Sequence, residues 1–375
     1  MASNVSAFVM FSILFCLVLA LALQAADHFY HRKDLSKISF ASSNVSLKEF
    51  RREFSGLGHR PLDNYFAVFP FAWTYLFIIA AVIAFNTFDS FIVRGLLILF
   101  VTGRLRTLQE IGHFAVHGAL CPNLKWGMFL ANMLYQFPAL MPEARARKDI
   151  HVRRHHSSVN MPHDPDLKEL LDVGLKPGIS NFKFWAALFY PLTWRGLLAR
   201  VKEIGSYLVA DRFSLNFFLR IAAIATVVGL FVGFHSVSAL IFLYAVPVFI
   251  TYPLFYWLAH VALHRWFAPC DPQLGYYERE LELGRPTEFR GPIGFIVRHN
   301  IFPLGDSYHL AHSLFPNVRW NHLPQVDGIM KRYSPKYSEN MSCHLLFPSR
   351  GLPSAFSELR ERVVEGRMEE LSRSV

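Results

Sequence analysis

The sequence predicts an all-α integral membrane protein, with two transmembrane helical hairpins, an N-terminal anchor and a cytoplasmic helical cap that carries clustered histidines. Three observations lead there. Only 18% of the residues are charged and 53% are hydrophobic, against about 25% charged in a typical soluble domain. The deficit is concentrated in apolar runs of membrane-crossing length. Lys and Arg gather between those runs, as they do in cytoplasmic loops, and nine of the 17 histidines fall in four clusters next to them.

The first run covers residues 7–26. Nothing charged precedes it, whereas a signal peptide wants a basic start, so it reads as a membrane anchor. Residues 27–62 are polar and basic, with Arg32, Lys33, Lys37, Lys48, Arg51, Arg52 and Arg60. A basic loop of this kind belongs on the cytoplasmic side.

The first hairpin pairs residues 65–88 with 91–101 across Asp89-Ser90. Its turn carries no Lys or Arg, and Arg104 and Arg106 mark the return side. Arg94, near the turn, is expected to snorkel to the interface. The second hairpin pairs 217–234 with 239–258, and its turn at 235–238 again lacks Lys and Arg. Two shorter runs lie between the hairpins. Residues 126–141 are interrupted by Asn132, Gln136 and Pro138, and residues 181–194 behave alike. A single crossing by either would separate neighbouring histidine clusters, so both read as in-plane or re-entrant helices. Arg145, Arg147, Lys148, Arg153 and Arg154 then mark the cytoplasmic surface. Beyond Arg265 the chain is polar, with no further span, and 356–371 reads as a charged surface helix. Three regions result: an anchor and basic loop (1–62), a catalytic region (63–325) and a cytoplasmic tail (326–375).

The net charge of +10 fits the basic loops, and no nucleic-acid-binding motif accompanies it. Cys16, Cys121, Cys270 and Cys343 form no Cys-x-x-Cys. That sets aside thiolate-bound iron–sulfur clusters, structural zinc and a disulfide framework.

The histidine clusters carry the chemistry. His113 and His117 are four apart, as are His151 and His155, with His156 adjacent; His260 and His264 repeat the spacing, and His309 and His312 are three apart. Such spacings put rings on one side of a helix. One pair alone is usually solvated surface. Four beside apolar helices on one membrane face are better explained as metal ligands, since neutral imidazole binds iron, zinc and copper. Nine exceed the four that one tetrahedral zinc needs, which points to two metals of higher coordination number. Redox work on an inert substrate favours iron, because zinc has no redox chemistry.

These pieces resemble the histidine boxes of the membrane-bound fatty acid desaturase family, which includes hydroxylases and carotenoid ketolases. The matching pieces are Glu110 to His117, His151 to His156 and Tyr308 to Pro316, with Gly284-Arg285-Pro286-Thr287 and Gly305-Asp306-Ser307 also similar to bacterial members. The resemblance runs from about Tyr65 to about Leu323. It implies a non-haem enzyme with two iron ions (Fe2+) that introduces a double bond into a lipid acyl chain with O2. Electrons are expected from an external donor of ferredoxin or cytochrome b5 type.

The resemblance carries over His113, His117, His151, His155, His156, His309 and His312 as ligands. His264 takes a further ligand place. His260 either ligates or holds a metal-bound water. The third box usually ends in adjacent histidines; here the second is Ser313. Another imidazole is then expected to fill that place, His260 or His264 first.

Glu110 is placed to hold a ring tautomer. Asp164 or Asp166 either orients a ligand imidazole or caps a turn. His299 reads as second to the ligands or as a loop residue, and the aromatic run from Tyr252 to Trp257 as lipid-facing packing. His28, His31, His59, His235, His322 and His344 receive no role. Hydroxylation or ketolation would use the same ligand set, and the Leu314-Phe315-Pro316 ending favours desaturation. A non-enzymatic metal-binding membrane protein is the rival of another class. Transporters place polar ligands near the midplane of their spans, while these clusters sit at span ends.

Overall fold

A computed structural model of the protein describes residues 2–40, 45–210, 212–233 and 236–366. Its described residues are mostly helical, with one small parallel pairing of Thr287–Glu288 and Ser342–Cys343. They form two compact units: Met1–Arg32, His59–Ala146 and Pro191–Phe255 in the first, and Lys33–Gly58, Arg147–Tyr190 and Tyr256–Val375 in the second.

Among the described residues, four helical runs are long and apolar enough to cross a membrane: Ala7–His31, Asp63–Thr87, Leu215–Gly233 and Val237–Leu263. The expected return leg at 91–101 is instead the start of one uninterrupted helix, Phe91–His117. Arg94, Arg104, Arg106 and Glu110 lie within that helix, which is why it is not among the four. Arg94 meets its charge locally: Nη2 lies 2.8 Å from Asp89 in the turn, and Nε donates to the Phe85 carbonyl.

In the first unit, the N-terminal helix runs past the expected anchor to His31. His31 is buried between Asp27 and Asp63, with Nε2 2.8 Å from Asp63 Oδ1. Tyr30 stacks on Phe66 at 4.4 Å. A histidine given no role by its sequence position therefore pins the N-terminal helix to the start of the run Asp63–Thr87. Of the second hairpin turn, Phe234 and His235 lie outside the described residues, while Ser236 Oγ donates to Asn86 Oδ1 at 2.8 Å.

The run 126–141 folds as Leu124–Ala131 followed by a π-helical turn, Asn132–Gln136. At 1.5 Å per residue this is roughly 20 Å long, short of the roughly 30 Å of a bilayer core. The helix at Asn181–Leu188 is shorter still. Both helices are shorter than one that spans a bilayer core.

In the second unit, the segment expected at 356–371 as a surface helix is different. The helix Ala355–Arg360 continues as a π turn, Glu361–Glu365, and residues 367–371 lie outside the described residues. Ala355, Phe356, Leu359 and Val363 are buried, an apolar stripe at helical spacing that the charged residues conceal in the sequence. Glu358 joins this helix to Arg265, Arg285 and Arg362.

Candidate metal centre

In the first unit, His113 and His117 occupy the last turn of Phe91–His117. Gly118 ends that helix in the left-handed region at φ 76°, which glycine adopts without a Cβ clash. His113 Nδ1 lies 2.9 Å from Glu110 Oε2. Glu110 in turn pairs with Arg106 at 3.0 Å. Arg106 donates to Gln109, which accepts from Tyr252 Oη at 2.8 Å, and Tyr252 meets Tyr135. All six are buried. With its Nδ1 proton donated to Glu110, His113 presents Nε2 as a lone pair. That Nε2 lies 3.1 Å from His117 Nε2. Tyr252, expected to face lipid, is thus part of the buried support of the first box; Trp257, which belongs to the second unit, is buried too, its indole donating to the Ala187 carbonyl within that unit.

The second box lies in the second unit, and it does not sit on an α-helix. Residues Lys148–His155 form a π-helical run in which the His156 N–H bonds to the His151 carbonyl, an i→i+5 pattern. The wider turn brings residues four and five apart onto one face. The ring centroids of His151 and His155 are 5.3 Å apart, and those of His151 and His156 are 4.7 Å apart. Spacing alone predicts the first approach; the π turn supplies the second.

Asp164 caps a turn and also faces an imidazole of the second box. Its carboxylate accepts from the Asp166 and Asn160 N–H groups, capping the helix Pro165–Asp172. It also lies 2.9 Å from His155 Nδ1, with Asp166 3.4 Å from the same nitrogen. Burial works against charge on His155, but Asp166, Asp164 and Glu280 outweigh it and hold the pKa up to about 9. One atom each of His151, His155 and Asp166 lie within 4.8 Å of one another, close enough to hold a metal ion.

His309 and His312 lie on the short helix His309–Leu314, both buried. His264 lies beyond the end of its helix, which stops at Leu263, so it does not share a helical face with His260. Its backbone is laced instead to the Gly284 motif. His264 bridges Gly284, and Arg285 Nη2 donates to the His264 carbonyl at 2.8 Å. This turns the His264 ring toward His309, with the two Nε2 atoms 3.2 Å apart. The same ring lies 5.1 Å from that of His155, and the rings of His156 and His312 are 6.2 Å apart. Trp266 packs on His155, His260 and His264 together.

His260 takes a different position. Its ring packs on Tyr256, Trp257 and Trp266, with Asp166 3.8 Å and Glu169 3.9 Å from its nitrogens. His299 is exposed on the helix Gly291–Asn300 rather than in a loop, bonded to the Phe295 carbonyl of its own helix.

The donor set fits a metal. Two nitrogens each about 2.1 Å from one ion and at right angles to each other lie about 3 Å apart, the separation seen in both close Nε2 pairs. His260 Nε2, His264 Nδ1 and His309 Nδ1 are buried without a hydrogen-bond partner. Burial and neighbouring histidines push His312 down to about 3 and His264 well below the ordinary imidazole value. Both are therefore neutral, which is the ligating form.

One residue here carries no sequence signal. Glu280, on the helix Tyr276–Leu283, is fully buried, and neither carboxylate oxygen makes a hydrogen bond of good geometry. Burial pushes it up to about 7 against the pull of His155, Arg279 and the Ser313 hydroxyl.

Apolar helices of spanning length and clustered buried imidazoles define a membrane protein of histidine-box type. Residues 89–344 match the fatty acid desaturase family, and the chain belongs to that family, whose members are generally oxidoreductases. No curated protein matches the chain.

Proposed function

We propose that the protein is a membrane-bound di-iron oxygenase that introduces a double bond into a lipid acyl chain, using O2 and electrons from an external donor. The observation that carries this reading is the 3.2 Å approach of His264 and His309 Nε2 amid buried imidazoles, of which His264 and His312 are kept neutral by burial. Eight histidines form the ligand set carried over from the family, His113, His117, His151, His155, His156, His264, His309 and His312, and a ninth, His260, takes the water-holding place that its aromatic packing and nearby carboxylates suit. When bound, iron supplies the redox chemistry with O2 that imidazoles lack.

The chain's own residues position and tune. Glu110 and Asp164 fix ring orientation from behind. Trp266 holds three rings in place and excludes water. An apolar slot presents one methylene to the site, because near-attack geometry fixes where reaction occurs. The spans cross the membrane several times, with the histidines on the cytoplasmic face, where an acyl chain arrives from the bilayer and a soluble donor from the other side. The Leu314-Phe315-Pro316 ending favours desaturation over hydroxylation or ketolation.

The test is lipid mass spectrometry after expression in a host that lacks the product, with a His155→Ala variant beside it. New double bonds in the wild type alone are expected. Equal product from the variant overturns the assignment, and a hydroxylated product moves it to the hydroxylase reading.

A further inference from the structure

We propose that Glu280 supplies the metal ligand that Ser313 leaves out of the third histidine box. The inference rests on the metal-binding reading above.

The third box breaks at position 313, where a hydroxyl replaces the expected imidazole. Ser313 is fully buried and its Oγ makes no hydrogen bond of good geometry. The helix Tyr276–Leu283 turns one face to this point. Tyr276 Oη donates to the Ser313 carbonyl and lies 3.4 Å from His156 Nδ1. Glu280 is one turn further along, on the same face. Its carboxyl lies beside the Ser313 hydroxyl and in the field of His155.

Both carboxylate oxygens are buried without a hydrogen bond of good geometry, the Ser313 hydroxyl being the one hydrogen-bonding group that pulls on them. An unpaired buried carboxylate costs far more than an unpaired neutral group. The adjacent Arg279 acts on it by charge and not by a hydrogen bond: its Nη2 donates to the Ser157 carbonyl and its Nε has no hydrogen-bond partner. A bound cation beside Ser313 would relieve it. The chemistry also suits: two or more imidazoles with one carboxylate form a common ligand set for ferrous iron. The carboxylate adds negative charge to an otherwise neutral set.

The two imidazoles first expected to compensate for Ser313 are committed elsewhere. His264 faces His309 and His155, and His260 packs among Tyr256, Trp257 and Trp266.

The experiment measures iron per chain by plasma mass spectrometry on the full chain purified in detergent. The variants are Glu280→Gln, Ser313→His and the two combined. About two irons are expected in the wild type, about one in Glu280→Gln, and about two again in the combined variant, where an imidazole stands at position 313. Undiminished iron in Glu280→Gln overturns the inference and leaves the metal-binding reading intact. A wild type that binds no iron overturns both. If Glu280→Gln does not accumulate, the combined variant decides: recovery with full iron supports the ligand role, and failure to recover overturns it.

Discussion

His264 Nε2 and His309 Nε2 stand 3.2 Å apart although 45 residues separate them in the chain. Two imidazoles gain little from such an approach beyond one weak hydrogen bond. A shared ion gives it a purpose. Replacing either with Ala is therefore expected to weaken iron retention against a chelator by more than tenfold, the lower range seen for residues that merely support a ligand. The fold should change little by circular dichroism. Retention equal to the wild type would remove this pair from the ligand set.

The boxes were legible because their spacing survives as geometry: His113 and His117 meet as a helical pair should. Their supports were legible only where a carboxylate lay close in sequence, as with Glu110 and Asp164. The π turn at Lys148–His155 was not, since nothing in His-x-x-x-His-His distinguishes a wide turn from an ordinary one. Nor was Glu280. It is one of three glutamates in Tyr276–Leu283, and only packing decides which one is buried.

Asp164 combines a helix cap with support for His155, and the two can be separated. Asn caps about as well as Asp, whereas Ala loses about 1 kcal/mol. Asp164→Asn, which keeps one of the two accepting oxygens, should therefore lose less thermal stability than Asp164→Ala yet lose iron affinity by about 10- to 100-fold. Asp164→Ala should lose both. Equal iron affinity in the wild type and Asp164→Asn would reduce Asp164 to a cap.

Glu358 makes the last described helix sensitive to acid. Burial alone would raise its carboxyl, but Arg285, Arg362 and Arg265 outweigh it and hold the pKa at about 2, below the ordinary 4.5. The folded value lies below the unfolded one, so the stabilisation is complete above about pH 4.5 and is lost as pH falls toward 2. Glu358→Gln leaves buried guanidiniums uncompensated and is expected to cost about 3–5 kcal/mol at neutral pH. Its melting temperature should fall less than that of the wild type as the buffer is acidified. Parallel curves for the two proteins would show that this carboxylate does not govern the acid limb.

Gly284 tests whether the Gly-Arg-Pro-Thr motif serves the site through its backbone. A Cβ added there would meet Leu310 Cδ1 at 2.5 Å and the Glu280 carbonyl at 2.7 Å. The first neighbour adjoins His309 and the second belongs to the buried glutamate. The same residue bridges the backbone of His264, so one methyl group would press on three parts of the centre at once. Overpacking of this kind costs about 1–3 kcal/mol. Gly284→Ala is expected to lower both thermal stability and iron content, while Gly174→Ala, at a glycine with no neighbour to its Cβ but with φ 88°, should cost stability through backbone strain and leave iron content unchanged. If Gly284→Ala keeps its full iron, the motif acts on folding alone, and the turn of the His264 ring toward His309 does not depend on that close approach.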